Sequence, residues 1–139
     1  MTSKNRIAVV LGSFHKTEIA QMLDAARDEA KKLNLKIVEE VWVPGSIEKP
    51  LAIKRLLMRD DINAVVVLGI IEKGETKHGF VMGQVVYDAI IKLQLEFMKP
   101  IGLGILGPSI TPNQIQPRLD SYAIAAVSAV DVMLNKNDR

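Results

Sequence analysis

The chain has no cysteine among its 139 residues. That absence removes disulfides, thiolate nucleophiles, iron–sulfur clusters and cysteine-based zinc sites together. Only two histidines are present, His15 and His78, too few for a multi-histidine metal centre, so no metal is expected. Neither sign of charge dominates: 18 Lys+Arg stand against 16 Asp+Glu, a formal net charge of +2. Interspersed charge of this kind gives no footprint for a nucleic-acid or membrane-surface partner. Long apolar runs are missing too. The longest unbroken apolar-plus-glycine stretch, Ala64–Ile71, falls far short of the about 20 residues of a spanning helix. The opening Met-Thr-Ser-Lys-Asn-Arg turns straight into a strand-like run without a signal-peptide core, and the expected location is the cytoplasm.

What is present describes an ordinary globular protein, 48% apolar and 24% charged. A length near 140 suits one domain, and residues 1–139 are read as a single unit. Ile7–Leu11 closed by Gly12 reads as a buried strand. From Thr17 to Leu33 the apolar residues Ile19, Met22, Leu23, Ala26, Ala30 and Leu33 recur at helical spacing. Lys36–Val43 is a second strand stopped by Pro44-Gly45. A helix follows from near Ser46, with Pro50 in its first turn, and ends at Arg59-Asp60-Asp61. Ala64–Leu68, apolar on both faces, is a central parallel strand. A loop from Gly69 to Gly79 leads to a helix over Phe80–Phe97. A fourth strand, Pro100–Ile105, a loop through Gly107–Pro112 and a helical stretch from Asn113 to Leu134, broken near Pro117, complete the chain. The alternation predicts a three-layer α/β/α sandwich on a four-stranded parallel sheet with right-handed crossovers.

The helices over Phe80–Phe97 and Tyr122–Leu134 are apolar round most of their circumference. In a three-layer domain each helix has an outward face, so those faces are expected to meet other subunits. The expected form is an obligate oligomer.

Open parallel sheets bind ligands at the carboxyl ends of their strands. Four segments fall there: Gly12–His15, Val43–Glu48, Gly69–Gly79 and Leu106–Arg118. In Lys73-Gly74-Glu75-Thr76-Lys77-His78, a glycine and a hydroxyl at a helix entrance suit an anion, and His78 adds an imidazole able to exchange a proton. The same spacing also fits a solvated turn capped by Thr76, and both readings stand. Arg118 could clamp an anion or lie on the surface. Glu48 is favoured at a helix start by the dipole with or without a ligand hydroxyl to accept from. Phe14, among few aromatics, is placed where a stacking platform would be, with core packing as the alternative. His15 is read as a loop histidine, and Trp42 as packing or interface.

Phe14, Val43-Pro44-Gly45-Ser46-Ile47-Glu48-Lys49-Pro50, Gly74-Glu75-Thr76-Lys77-His78, Gly104-Ile105 and the Gln114…Arg118 spacing resemble the family of 6,7-dimethyl-8-ribityllumazine synthases. The resemblance runs over essentially the whole chain, and the Gly107-Pro108 loop looks like the archaeal branch. It implies a flavodoxin-like fold and condensation of 5-amino-6-ribitylaminouracil with 3,4-dihydroxy-2-butanone 4-phosphate, the penultimate step of riboflavin synthesis, without a cofactor. It further implies small-molecule substrates only, and a site between subunits of a homopentamer, in some members part of an icosahedral shell.

Carried onto this chain, the resemblance makes His78 the general acid/base. Phe14 would stack on the pyrimidine, and Ser46, Ile47 and Glu48 would contact the ribityl chain. Ile71 and Glu72 would line the uracil pocket, and Leu103 would supply a neighbour's apolar wall. Gly74, Glu75, Thr76 and Arg118 would hold the phosphate, with Lys73 or Lys77 assisting. The chain departs from the family pattern at His15, usually Asn, at Glu72, usually apolar, and at Leu103, often Phe. Tyr122 and Ala126 stand where bacterial members carry lysines. The rival of the same ancestry is the archaeal-type riboflavin synthase, whose lumazine substrate gives no reason for a phosphate site. A non-catalytic flavin-binding module would need a Ser/Thr-rich loop after the first strand, which Gly12–Thr17 matches poorly.

Overall fold

The computed structural model describes residues 4–135, so the expectation for the first residues lies partly outside it. In order, the elements are β1 (Arg6–Gly12), α1 (Lys16–Lys32), β2 (Lys36–Val43), a 3-10 turn (Ser46–Glu48), α2 (Lys49–Leu57) and β3 (Ala64–Glu72). There follow α3 (His78–Phe97), β4 (Ile101–Ile110), α4 (Pro112–Ile115), a second 3-10 turn (Gln116–Arg118) and α5 (Leu119–Asn135). The four strands are parallel in the order β2-β1-β3-β4. The chain therefore reverses its direction of travel across the sheet between β1 and β3, and that switch point opens a crevice at the carboxyl ends.

Period-two alternation divides each central strand between two cores. Ile7, Val9 and Leu11 of β1 and Ala64, Val66 and Leu68 of β3 face α1 and α5. Ala8, Val10, Val65, Val67 and Ile71 face α2 and α3. Burial on both sides is why β3 carries a near-continuous apolar run. The fold is the expected flavodoxin-like α/β arrangement on a four-stranded parallel sheet.

Two strands run further than the sequence suggests. β3 continues through Gly69 to Glu72, and β4 continues from Ile105 to Ile110. They remain paired, Ile70 with Leu106 and Glu72 with Ile110 across a register shift, and the Lys73 N–H donates to the Ile110 carbonyl at 2.8 Å. Gly107, at φ 99°, makes this possible: a Cβ there would stand 2.0 Å from the Ile71 carbonyl oxygen. The Tyr87 hydroxyl of α3 donates to the Gly107 carbonyl at 2.5 Å and fastens the extension from the other side. α2 ends at Leu57, two residues before the expected stop, and α3 starts at His78. The last helical stretch breaks at Pro117 as expected, after a capping box in which Gln114 accepts from the Thr111 N–H at 2.9 Å.

Neither apolar helix is covered all round within one chain. α3 exposes Phe80, Val81, Val85, Ile91 and Leu95, and α5 exposes Tyr122, Ile124, Val132 and Met133. Among the described residues no helix is long and apolar enough to cross a membrane.

Candidate active site

A cavity of about 410 Å3 opens at the switch point. Phe14 and His15 beyond β1, Gly45 to Glu48 beyond β2, Ile70 to Glu72 at the end of β3, and Gly74, Thr76, His78, Gly79 and Met82 at the start of α3 line it. The Ser13 hydroxyl and N–H both donate to the Val43 carbonyl, at 3.0 and 2.9 Å, which locks the loop after β1 to the end of β2. Phe14 projects beyond that lock and is 71% exposed. So much open ring surface excludes core packing in the single chain and leaves a face for a planar ligand. Gly45 lets the ring and the Glu48 carboxylate approach together, since a Cβ would sit 3.3 Å from Phe14 and 3.4 Å from Glu48 Oε1. An aromatic face and a carboxylate acceptor are thus side by side.

Across the ends of β1 and β3 the His15 Nε2 stands 3.0 Å from a Glu72 carboxylate oxygen. His15 precedes α1 in the left-handed region, φ 60° and ψ 46°, without capping that helix by its side chain. A non-glycine residue held there is a strained position of the kind found at functional sites.

The loop before α3 is exposed, and the Thr76 hydroxyl accepts from the His78 N–H at 3.3 Å. The residue preceding α3 is Lys77, with no side-chain cap, so Thr76 does not serve as the expected N-cap. Gly74 and Thr76 also border a second hollow of about 370 Å3, with Lys73, Lys77, Phe80 and Ser109. The segment therefore presents a hydroxyl and two ammonium-bearing side chains around a helix start, a setting suited to an anion.

With the assisting Lys73 and Lys77 set aside, ten of the thirteen positions considered as substrate, phosphate or loop residues — Phe14, His15, Ser46, Ile47, Glu48, Ile71, Glu72, Gly74, Thr76 and His78 — line this one cavity. Three do not. Glu75 is exposed on the same loop. Leu103 lies in β4 and packs at the edge of the α2–α3 core. Arg118 lies in the turn before α5, where its Nη1 donates to the Gln114 carbonyl at 2.9 Å. Among the described residues no cluster of three or more His, Asp or Glu could hold a metal ion.

The sequence reading missed Lys49. It begins α2 yet is 1% exposed, and burial pushes its amine well down, to about 8. No apolar signal could have flagged it, because a lysine beside a proline at a helix start reads as surface. The missed clue was the pair of strand-end glycines, Gly12 and Gly69, against which its amine end lies.

These features define a flavodoxin-like α/β protein with a small-molecule site at the sheet's switch point. The family profile described as 6,7-dimethyl-8-ribityllumazine synthase matches residues 4–137. Proteins of that name are similar to the chain along most of both lengths. One from Metallosphaera sedula is 41% identical, covering 96% of this chain and 89% of the relative. One from Methanopyrus kandleri is 42% identical, covering 96% and 94%, and one from Staphylothermus marinus is 38% identical, covering 95% and 88%. The chain belongs to the 6,7-dimethyl-8-ribityllumazine synthase family.

Proposed function

We infer that the chain condenses 5-amino-6-ribitylaminouracil with 3,4-dihydroxy-2-butanone 4-phosphate, releasing phosphate and water and forming 6,7-dimethyl-8-ribityllumazine. The observation that carries this reading is the single cavity where an aromatic face, a carboxylate, a hydroxyl-bearing loop and His78 converge. The reaction joins a substrate amine to a ketone as an imine with loss of water, expels phosphate, and closes a ring with loss of water. Each step moves a proton, and one acid/base at the phosphate end can serve them in turn. His78 takes that role, being the histidine beside the Gly74–Thr76 loop. Phe14 stacks on the pyrimidine while Ser46, Ile47 and Glu48 hold the ribityl chain, Glu48 as acceptor. Ile71 and Glu72 border the ring. Two reactants held in register supply most of the acceleration.

Gly74, Glu75 and Thr76 cradle the phosphate, and Arg118 neutralises it. Leu103 and Arg118 stand away from their own chain's cavity, which favours a second element of the reading: they complete a neighbour's site. The apolar faces left open on α3 and α5 support a homopentamer, alone or in an icosahedral shell. The reading takes the chain as one domain working in the cytoplasm without metal or cofactor.

The test is incubation of purified protein with the two substrates while lumazine absorbance is followed. Acceleration over the uncatalysed condensation supports the reading. Turnover of supplied lumazine to riboflavin instead would favour the archaeal-type riboflavin synthase, a reading that leaves the anion-suited loop without a purpose.

A further inference from the structure

The proposed mechanism leaves Lys49 idle, although its placement is costly. A buried ammonium is poorly solvated, and the first turn of a helix repels positive charge. The side chain is 1% exposed and passes between the ends of β1 and β3. A Cβ on Gly12 would lie 3.3 Å from its Cε, and one on Gly69 only 1.9 Å from its Nζ. Two strand-end glycines thus make the room this amine occupies. No hydrogen bond or ion pair from it exists among the described residues, and no side-chain nitrogen there is both fully sealed and unpaired. The trace of surface that Lys49 keeps is therefore at its amine.

Each element around the amine goes on to line the cavity: Phe14 and His15 follow Gly12, Ile70 and Ile71 follow Gly69, and Ser46 precedes Lys49 by one turn. Lys49 is not itself among the lining residues; its amine lies behind them, against Gly12 and Gly69, each one or two residues short of the part of its strand or loop that lines the cavity. His15, Glu48, Glu72 and His78 are the titratable groups that line the cavity, and Tyr87 stands on α3 with its hydroxyl on the Gly107 carbonyl; among the described residues none pairs with Lys49.

We propose that Lys49 is a binding residue for the ring end of the site, its amine donating to a carbonyl oxygen of a bound pyrimidinedione and taking up a proton as it does so. The proposal rests on reading the cavity as the ribitylaminouracil site and adds a group to it. Two effects compete when a ligand enters. An acceptor oxygen within reach favours the ammonium, whereas expulsion of water favours the neutral amine. The sign of the proton exchange therefore separates contact from mere desolvation. Burial lowers the free amine to about 8, so near pH 8 part of it is uncharged and available to protonate.

The experiment is titration calorimetry of the whole protein at pH 8 with 6,7-dimethyl-8-ribityllumazine, in two buffers of different ionisation enthalpy. Lys49→Met and Lys49→Gln are compared with wild type, and inorganic phosphate serves as a probe of the other end of the site. Wild type is expected to take up a fraction of a proton on binding the lumazine. Lys49→Met is expected to bind it about ten- to a hundredfold more weakly, without uptake. Lys49→Gln, which keeps a donor but cannot titrate, should recover part of the affinity and none of the uptake. Phosphate affinity should be unchanged in all three, which also shows the variants are folded. Equal lumazine affinity and proton count in wild type and Lys49→Met, or proton release by wild type, overturns the role of Lys49. Failure of wild type to bind lumazine overturns the reading of the site itself.

Discussion

The imidazole of His15 and the carboxylate of Glu72 meet at 3.0 Å across the ends of β1 and β3. The two residues lie in different strand-end segments, and the structure brings them into one contact. Each side chain keeps about a third of its surface exposed, where a polar contact contributes about 0–1 kcal/mol. Its value is then in shaping the cavity wall rather than in stability. Glu72→Gln is expected to leave the melting temperature nearly unchanged and to raise KM for the ribitylaminouracil by about two- to tenfold. Steady-state kinetics beside a thermal melt checks this, and a large loss of stability with unchanged KM would contradict it.

His78 begins α3 and is exposed at the cavity rim, so its removal disturbs no core. His78→Ala is expected to slow turnover by about 10² or more, the usual contribution of a general acid/base, with subunit assembly intact. Sedimentation and stopped-flow measurements on the same sample check both halves. Lost assembly would mark a structural histidine.

Arg118 bonds to the Gln114 carbonyl instead of reaching its own cavity. Arg118→Ala is expected to raise KM for the butanone phosphate with less effect on the pyrimidine substrate. If the arginine serves a neighbour, mixing His78→Ala and Arg118→Ala chains from denaturant in equal amounts regenerates complete sites. In a ring of heterologous contacts about a quarter of the sites should recover. No recovery would place both residues in one chain's site.

Lys49 makes stability depend on pH. Its amine titrates at 10.5 when free and at about 8 when buried. Between those values the unfolded chain binds the extra proton, so the cost that Lys49 places on folding is full below about pH 8 and is relieved as pH rises toward 10.5. The full span is of order 3 kcal/mol. Lys49→Met lacks this cost and should be more stable than wild type at pH 7, with the difference shrinking by pH 10. Denaturation midpoints across that range test it; parallel profiles would contradict it.

Strand and helix order was legible because hydrophobic period and burial agree: the β3 run Ala64–Leu68 is buried on both faces, and α1 buries the same Ile19, Met22, Leu23, Ala26 and Ala30 that the spacing picks out. The strand ends were not legible. Gly69 and Gly107 look like loop residues, yet each is glycine because something lies against it, the Lys49 amine in one case and the Ile71 carbonyl in the other. Such close approaches are set by tertiary packing and leave no periodic trace. Most site residues were found because they cluster at strand ends. Leu103 and Arg118 do not join them within one chain, because position near a strand end in the sequence does not say which way a side chain is turned by the fold.

The central claim is the condensation itself, and one reaction measured two ways tests it most directly. Purified protein is supplied with ribitylaminouracil and butanone phosphate, and lumazine and inorganic phosphate are quantified together over time. The account predicts that both form in equal amounts, faster than without enzyme, and that His78→Ala slows both alike. Lumazine formed no faster than in buffer, or phosphate released without matching lumazine, would contradict it.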